Sequence, residues 1–161
     1  MASGDLLFDF GPHSNEPPGS AFAVPDTIND GLVLDLALND IVIIAGTMPN
    51  HYSALGVTIT LMYGMTSATA NDIKLRTNFE RRNDGFVYSA DSFETANRDT
   101  GDITVPGAIR TLDYITTVHT NAQLDGLLKN ELFRLKVTRI AVTGTDASGD
   151  LELLRIMGRE T

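Results

Sequence analysis

The 161-residue chain contains no cysteine and no tryptophan. The first absence excludes disulfides, thiolate metal ligands and cysteine nucleophiles, so neither a redox role nor a stapled secreted scaffold is available. The second, with aromatics at only 7%, leaves a sugar-stacking platform thinly supplied. Long apolar runs are missing too: none approaches the ~20 residues needed to cross a bilayer. The N-terminus carries acids where a signal peptide carries Lys or Arg, so synthesis and folding in the cytoplasm are expected. No base occurs before Lys74, whereas the same stretch holds eight acids: Asp5, Asp9, Glu16, Asp26, Asp30, Asp35, Asp40 and Asp72. Beyond it, thirteen acids nearly balance twelve bases. Nonspecific nucleic-acid binding needs a basic face and is disfavoured. The acidic half is either a set of solvated loops or a surface for a basic partner.

What is present suffices for one core. An apolar share of 42% with 20% charged residues is ordinary for a globular domain. At this length folding buries roughly two-thirds of the unfolded chain's surface. Residues 1–20 read as an extended arm, because Gly4, Gly11, Pro12, Pro17, Pro18 and Gly19 forbid a regular helix. Leu6, Leu7, Phe8 and Phe10 are the arm's apolar anchors and have no evident strand partner. The arm and a first edge segment take residues 1–31, and a β-sandwich domain takes residues 32–161.

Within that domain the dominant signal is period two. Leu32, Leu34, Leu36 and Leu38 alternate with Val33, Asp35, Ala37 and Asn39, and the β-branched run Ile41–Ala45 reads as a strand covered on both faces and ended by Gly46. Val57, Ile59, Leu61 and Tyr63 share a face, as do Ile73, Leu75, Thr77 and Phe79 against Lys74, Arg76, Asn78 and Glu80. Asn83-Asp84-Gly85 has the form of a hairpin turn leading into a strand at Phe86-Val87-Tyr88. A helical turn is expected at residues 91–97. Further strands follow at Ile103–Val105, Leu112–Val118, Phe133–Val137 and Leu151–Met157, the last apolar on both faces. One short helix is expected over Thr120–Lys129, from the capping box Thr120/Gln123 and the stripe Leu124, Leu127, Leu128. The fold class is all-β: a single-domain sandwich, preferably a jelly roll, with one short helix and an extended N-terminal arm.

Chemistry is hard to find. His13, His51 and His119 lie apart, with no second ligand at metal-site spacing. Asp146–Asp150 superficially resembles a calcium loop but lacks its alternating oxygen ligands and terminal Glu, so it reads as a polar hairpin turn. No phosphate loop, nucleophile elbow or Ser-His-Asp order occurs. No catalytic residue, metal or cofactor is therefore assigned. The basic ladders Lys74/Arg76 and Arg134/Lys136 face outward from their strands and either stay solvated or receive an acidic segment such as that of Asp5, Asp9 and Glu16.

Gly46–Ser53, Phe79–Gly85, Asp91–Phe93, Glu131–Arg139 and Gly149–Thr161 together resemble the capsid decoration, or cement, proteins of tailed bacteriophages. The resemblance spans Gly46–Thr161 and rests on a pattern of strands and turns. It implies a jelly-roll sandwich, no catalysis, and a homotrimer on the outside of a phage head, bound to the major capsid protein and stabilising the mature shell. Location in the virion and no membrane or nucleic-acid partner go with it. Under this reading Leu6, Leu7, Phe8 and Phe10, with Asp5, Asp9 and Glu16, contact a neighbouring subunit or the capsid, as do Lys74, Arg76, Arg134 and Lys136. Rival expectations are a tail or fibre module that binds a host receptor, and a carbohydrate-active enzyme on a sandwich fold.

Overall fold

A computed structural model describes residues 4–28, 31–89, 93 and 96–161. The alternating segments form strands β1 (Leu6–Phe10), β2 (Val24–Ile28), β3 (Gly31–Leu36), β4 (Ile41–Thr47), β5 (Gly56–Met65) and β6 (Asp72–Arg82). They continue as β7 (Arg98–Asp99), β8 (Ile103–Thr104), β9 (Asp113–Thr120), β10 (Leu132–Ile140) and β11 (Leu151–Glu160). One sheet has six strands in the order β2-β3-β11-β5-β9, with β1 also paired to β11; the other has five, β4-β10-β6-β7 with β8 on β6. All of these pairings are antiparallel, and the two sheets pack as a β-sandwich of jelly-roll type.

Period-two patterning decides which side chains enter the core. Val57, Ile59, Leu61 and Tyr63 of β5 are fully buried against Ile73, Leu75, Phe79, Phe133, Leu135 and Val137 of the opposing sheet. A β-bulge between Leu153 and Arg155 shifts the register of β11, so Leu151, Leu153 and Ile156 point inward while Leu154 points out. The strand is therefore two-faced because its alternation is interrupted.

The arm finds its cover in its own chain. Strand β1 adds to the six-stranded sheet against the C-terminal half of β11, and Leu7 and Phe8 are buried. The Phe8 ring lies over Gly158, where an added Cβ would come within 2.2 Å of it. On the opposite sheet the rings of Phe10 and Phe133 cover Gly46 in the same way, at 2.7 and 3.0 Å from such a Cβ. Gly46 thus sits inside β4 and does not end it. Phe8, Phe10, Phe133 and Phe79 form a chain of rings between the sheets with centroids 5.1 to 6.3 Å apart. Residues 15–16 and 21–23 then pair along the free edge of β4, capping it as edge strands require. The expectation that Leu6, Leu7, Phe8 and Phe10 lack a partner within the chain is corrected on these grounds. Only Leu6 remains largely exposed, opposite Arg159.

Other expectations change as well. The capping box forms, with the Thr120 N–H donating to Gln123 Oε1 at 2.9 Å. It opens only a 3-10 turn, Asn121–Leu124, because Asp125 and Gly126 adopt the left-handed conformation that terminates it. The Asn83–Gly85 turn is present, closed by Phe86 N–H to Asn83 O at 3.1 Å, but no strand follows at residues 86–88. Most of the helical turn expected at residues 91–97 lies outside the described residues. The loop that resembled a calcium site is organised around a cation of the chain itself. Buried Arg139 donates from Nη1 to Leu36 O (3.1 Å) and Gly149 O (2.6 Å), and from Nη2 to Ala147 O (2.7 Å). Burial lowers its pKa while Asp146, Asp150 and Asp40 push it back up.

Truncating Phe79 to Ala should cost about 3–5 kcal/mol, since it empties a fully buried site between Phe133 and His119. Lys74→Ala loses one surface ion pair to Asp102, worth under about 1 kcal/mol. Urea denaturation of both variants checks this, and equal small losses would show the register of β6 reversed.

Candidate functional site

The anticipated contact residues are scattered and mostly satisfied within the chain. Lys74 pairs with Asp102 at 2.9 Å and Arg76 with Asp99 at 2.7 Å. Arg134 meets Glu16 at 3.2 Å and Glu80 at 3.5 Å, while the Lys136 ammonium stands 4.5 Å from the centroid of the Phe93 ring. Asp5 is half-buried and its carbonyl accepts from Glu160 N–H. The acidic arm does meet basic strand residues, as charge asymmetry suggested, but inside one molecule: Glu16 reaches Arg134 and Asp9 reaches Arg155. The basic ladders therefore do not stand out as a free docking surface.

A groove on the outer face of the six-stranded sheet has more to offer. Its floor runs along two neighbouring strands, from Glu152 to Arg155 of β11 and from Gly64 to Met62 of β5. The end of β2 and the start of β3 form one wall through Ile28, Gly31, Leu32 and Val33, and Arg110 and Leu112, just before β9, form the other. A hollow of about 250 Å³ at the Glu152 end joins one of about 530 Å³ at the Arg155 end, both sharing Leu32, Leu112 and Leu154. Pro12, His13 and Ser14, the short 3-10 turn after β1, close the far end. Tyr114 lies directly across from Met62, two residues beyond Leu112 on the same face, and 56% of it is exposed. Tyr114 thus stands beside the Met62 side of the groove without lining either hollow.

The polar groups sit at the two ends. At one, Arg110 Nε donates to Glu152 Oε1 at 3.2 Å, and Glu152 is almost wholly buried. At the other, Asp9 takes Arg155 bidentately, Nε to Oδ1 at 2.6 Å and Nη2 to Oδ2 at 3.0 Å. Asp35 faces Glu152 across the β3–β11 pair. Burial pushes its pKa up to about 6, helped by the carboxylates of Asp26, Glu152 and Asp150 and opposed by Arg110. Its Oδ1 is buried without a hydrogen-bond partner among the described residues. Asp35 flanks the groove without lining it. Among the described residues no three His, Cys, Asp or Glu side chains are grouped to hold a metal ion.

Sequence reasoning missed the groove because its floor comes from outward-facing apolar residues. The outward-facing apolar positions Met62, Leu112, Leu154 and Tyr114, in or beside strands whose other face is also apolar, were the available signal. A second hollow, among Tyr52–Ala54 and Leu128–Asn130, has two of its polar groups already engaged. Tyr52 Oη donates to Asn121 Oδ1 and Ser53 N–H to Glu160 Oε1.

Two groups, buried His119 and half-buried Asp35, titrate in opposite senses over one pH window. His119, on the inner face of β9, bonds Thr77 Oγ1 through Nε2 at 2.8 Å and packs edge-on against Phe79. Burial lowers its pKa from 6.5 to about 4, with Arg98 adding to the effect. The folded state thus holds fewer protons there than the unfolded chain, and stability present above pH 6.5 is lost as pH falls towards 4, by roughly 3 kcal/mol. Asp35, raised to about 6, does the reverse: it costs stability at neutral pH, and that cost fades as pH falls through 6 towards 3.8. We expect Asp35→Asn to raise Tm at pH 8 and to steepen its loss between pH 7 and 4. His119→Asn should flatten or invert that loss. Thermal melts of the three proteins across this range measure both, and parallel profiles would contradict the assignment.

No family model matches this chain, and none of the curated proteins matches it in sequence. Solved structures share its fold at low identity. A xylan-binding module, CBM15, superposes with a TM-score of 0.54 at 10% identity, covering 96% of this chain and 97% of that one. The CBM22-1 xylan-binding domain from Paenibacillus barcinonensis Xyn10C gives 0.54 at 13%, covering 99% and 97%. A family 35 carbohydrate binding module from an environmental isolate gives 0.53 at 13%, covering 94% and 92%. These neighbours correct the expectation of a capsid decoration protein. The jelly-roll pattern behind that resemblance is shared by carbohydrate-binding modules, and strand-and-turn patterning does not separate the two.

Proposed function

We propose that this chain is a carbohydrate-binding domain that takes an extended glycan along the outer face of its six-stranded sheet. The observation that carries the reading is the groove itself. It is long and apolar-floored, flanked by Tyr114, and its guanidinium and carboxylate groups are confined to the two ends. A sugar ring has apolar C–H faces and a rim of hydroxyls. Met62, Leu112, Leu154 and Tyr114 suit the former, and the end groups suit the latter. Few polar groups on an apolar lining is the usual composition of a ligand site. Two of the fold's neighbours are described as binding xylan, a polysaccharide, which supports the same reading.

The domain binds and does not cleave. Hydrolysis of a glycoside needs two carboxyl groups flanking the scissile bond. Here Glu152 is taken up by Arg110 and Asp9 by Arg155, and Asp35 lies outside the lining. The scarcity of aromatics is met by aliphatic floor residues, with a single ring in place of a platform.

Native affinity electrophoresis against a panel of soluble polysaccharides tests the proposal. We expect retardation by at least one of them. Tyr114→Ala should weaken it about tenfold, the equivalent of ~1.4 kcal/mol and near the top of what one aromatic contact supplies. Tyr88→Ala, which removes an exposed ring away from the groove, should leave it unchanged. Equal loss in both variants would detach binding from this face.

A further inference from the structure

The two arginines of the groove look at first like anchors for an acidic sugar. Their pairing says otherwise. Arg155 is held by both oxygens of Asp9, which raises the arginine's pKa, and Arg110 is held by Glu152. Each positive charge is therefore matched before any ligand arrives. A guanidinium carries five N–H donors, so a carboxylate partner leaves others able to donate to hydroxyl oxygens. The charge is neutralised while hydrogen-bonding capacity remains. Around these pairs the balance is negative: Asp35 and Asp26 flank the Glu152 end, and the segment supplying one wall and the far end, residues 11–33, contains no Lys or Arg, its one imidazole being His13. A uronate or sulfate laid in the groove would face carboxylates and would have to displace one of them from its arginine. A neutral chain meets neither obstacle.

Resting on the reading of this face as a glycan site, we propose that the groove selects neutral polysaccharides and rejects polyanionic ones, with Asp9 and Glu152 as the specificity-determining residues through their hold on Arg155 and Arg110. Asp9 is the accessible half of the device. It is surface-exposed on β1 between two inward-facing phenylalanines, so its substitution leaves the ring cluster intact. Glu152 is buried, and its replacement risks the fold.

The test compares wild type with Asp9→Asn by affinity electrophoresis and calorimetry on xylan, mixed-linkage β-glucan and galactomannan, and on polygalacturonate, alginate and dextran sulfate, at 20 and 200 mM salt. Wild type should bind among the neutral chains with less than twofold change between the two salt concentrations, and should ignore the polyanions. Asp9→Asn should gain at least tenfold for a polyanion, relative to its own affinity for the neutral chains, at low salt, a gain that disappears at high salt. Wild-type binding to a polyanion that weakens with salt would overturn the selectivity and leave glycan binding standing. A variant as blind to polyanions as wild type would overturn the role of Asp9. Failure of wild type to bind any of the six would overturn the selectivity together with the function it rests on.

Discussion

The contact of Phe8 with Gly158 is the one on which most of the rest depends. A ring lying where a Cβ would otherwise be draws β1 onto β11 and continues through Phe10, Phe133 and Phe79 into the opposing sheet. Without it the first strand would have little reason to stay, because an isolated terminal strand offers few apolar contacts to offset the entropy of ordering it. Strict alternation then does the remaining work. With Phe8 and Phe10 inward, Asp9 must point out, and it lands beside Arg155 at the end of the groove. The same strand therefore stabilises the core with Phe8 and Phe10 and sets the charge at the groove's end with Asp9 between them.

The groove illustrates how a sheet can carry apolar side chains on both faces without a second core. The bulge in β11 turns Leu154 outward, and Leu112, just before β9, and Tyr114 of β9 face the same way, leaving an exposed apolar strip between the start of β3 and the segment before β9. An exposed apolar strip of this kind is the composition a binding surface requires. The end groups restrict what that is, since ion pairs formed within the chain remove charge from the arginines and leave donors. Buried polar residues elsewhere are structural. His119 closes the inner face against Thr77 and Phe79, and Arg139 gathers three carbonyls that would otherwise lack donors.

The reading of the chain as a virion component shows where a pattern stops being informative. Strands at short intervals, an extended acidic arm and no catalytic motif describe a jelly roll, and the solved structures that share this fold include xylan-binding and other carbohydrate-binding modules. Fold does not carry function. What distinguishes one use from another is the outer surface of one sheet, where sequence periodicity only states which residues point away from the core.

The chain's alternation at Val57–Tyr63, Ile73–Phe79 and Phe133–Val137 determined by itself that this is an all-β sandwich and which side chains fill it, because a two-residue period allows one burial pattern. Composition determined that disulfides and thiolate chemistry play no part. Only the tertiary structure decided where the arm goes, since β1 pairs with a strand some 150 residues away. It also decided that the Thr120/Gln123 capping box opens a single turn, cut short by left-handed backbone at Asp125 and Gly126. It alone made the groove, because Asp9, Arg110, Glu152 and Arg155 become neighbours through strand order and a bulge, and neither leaves a local mark in the sequence.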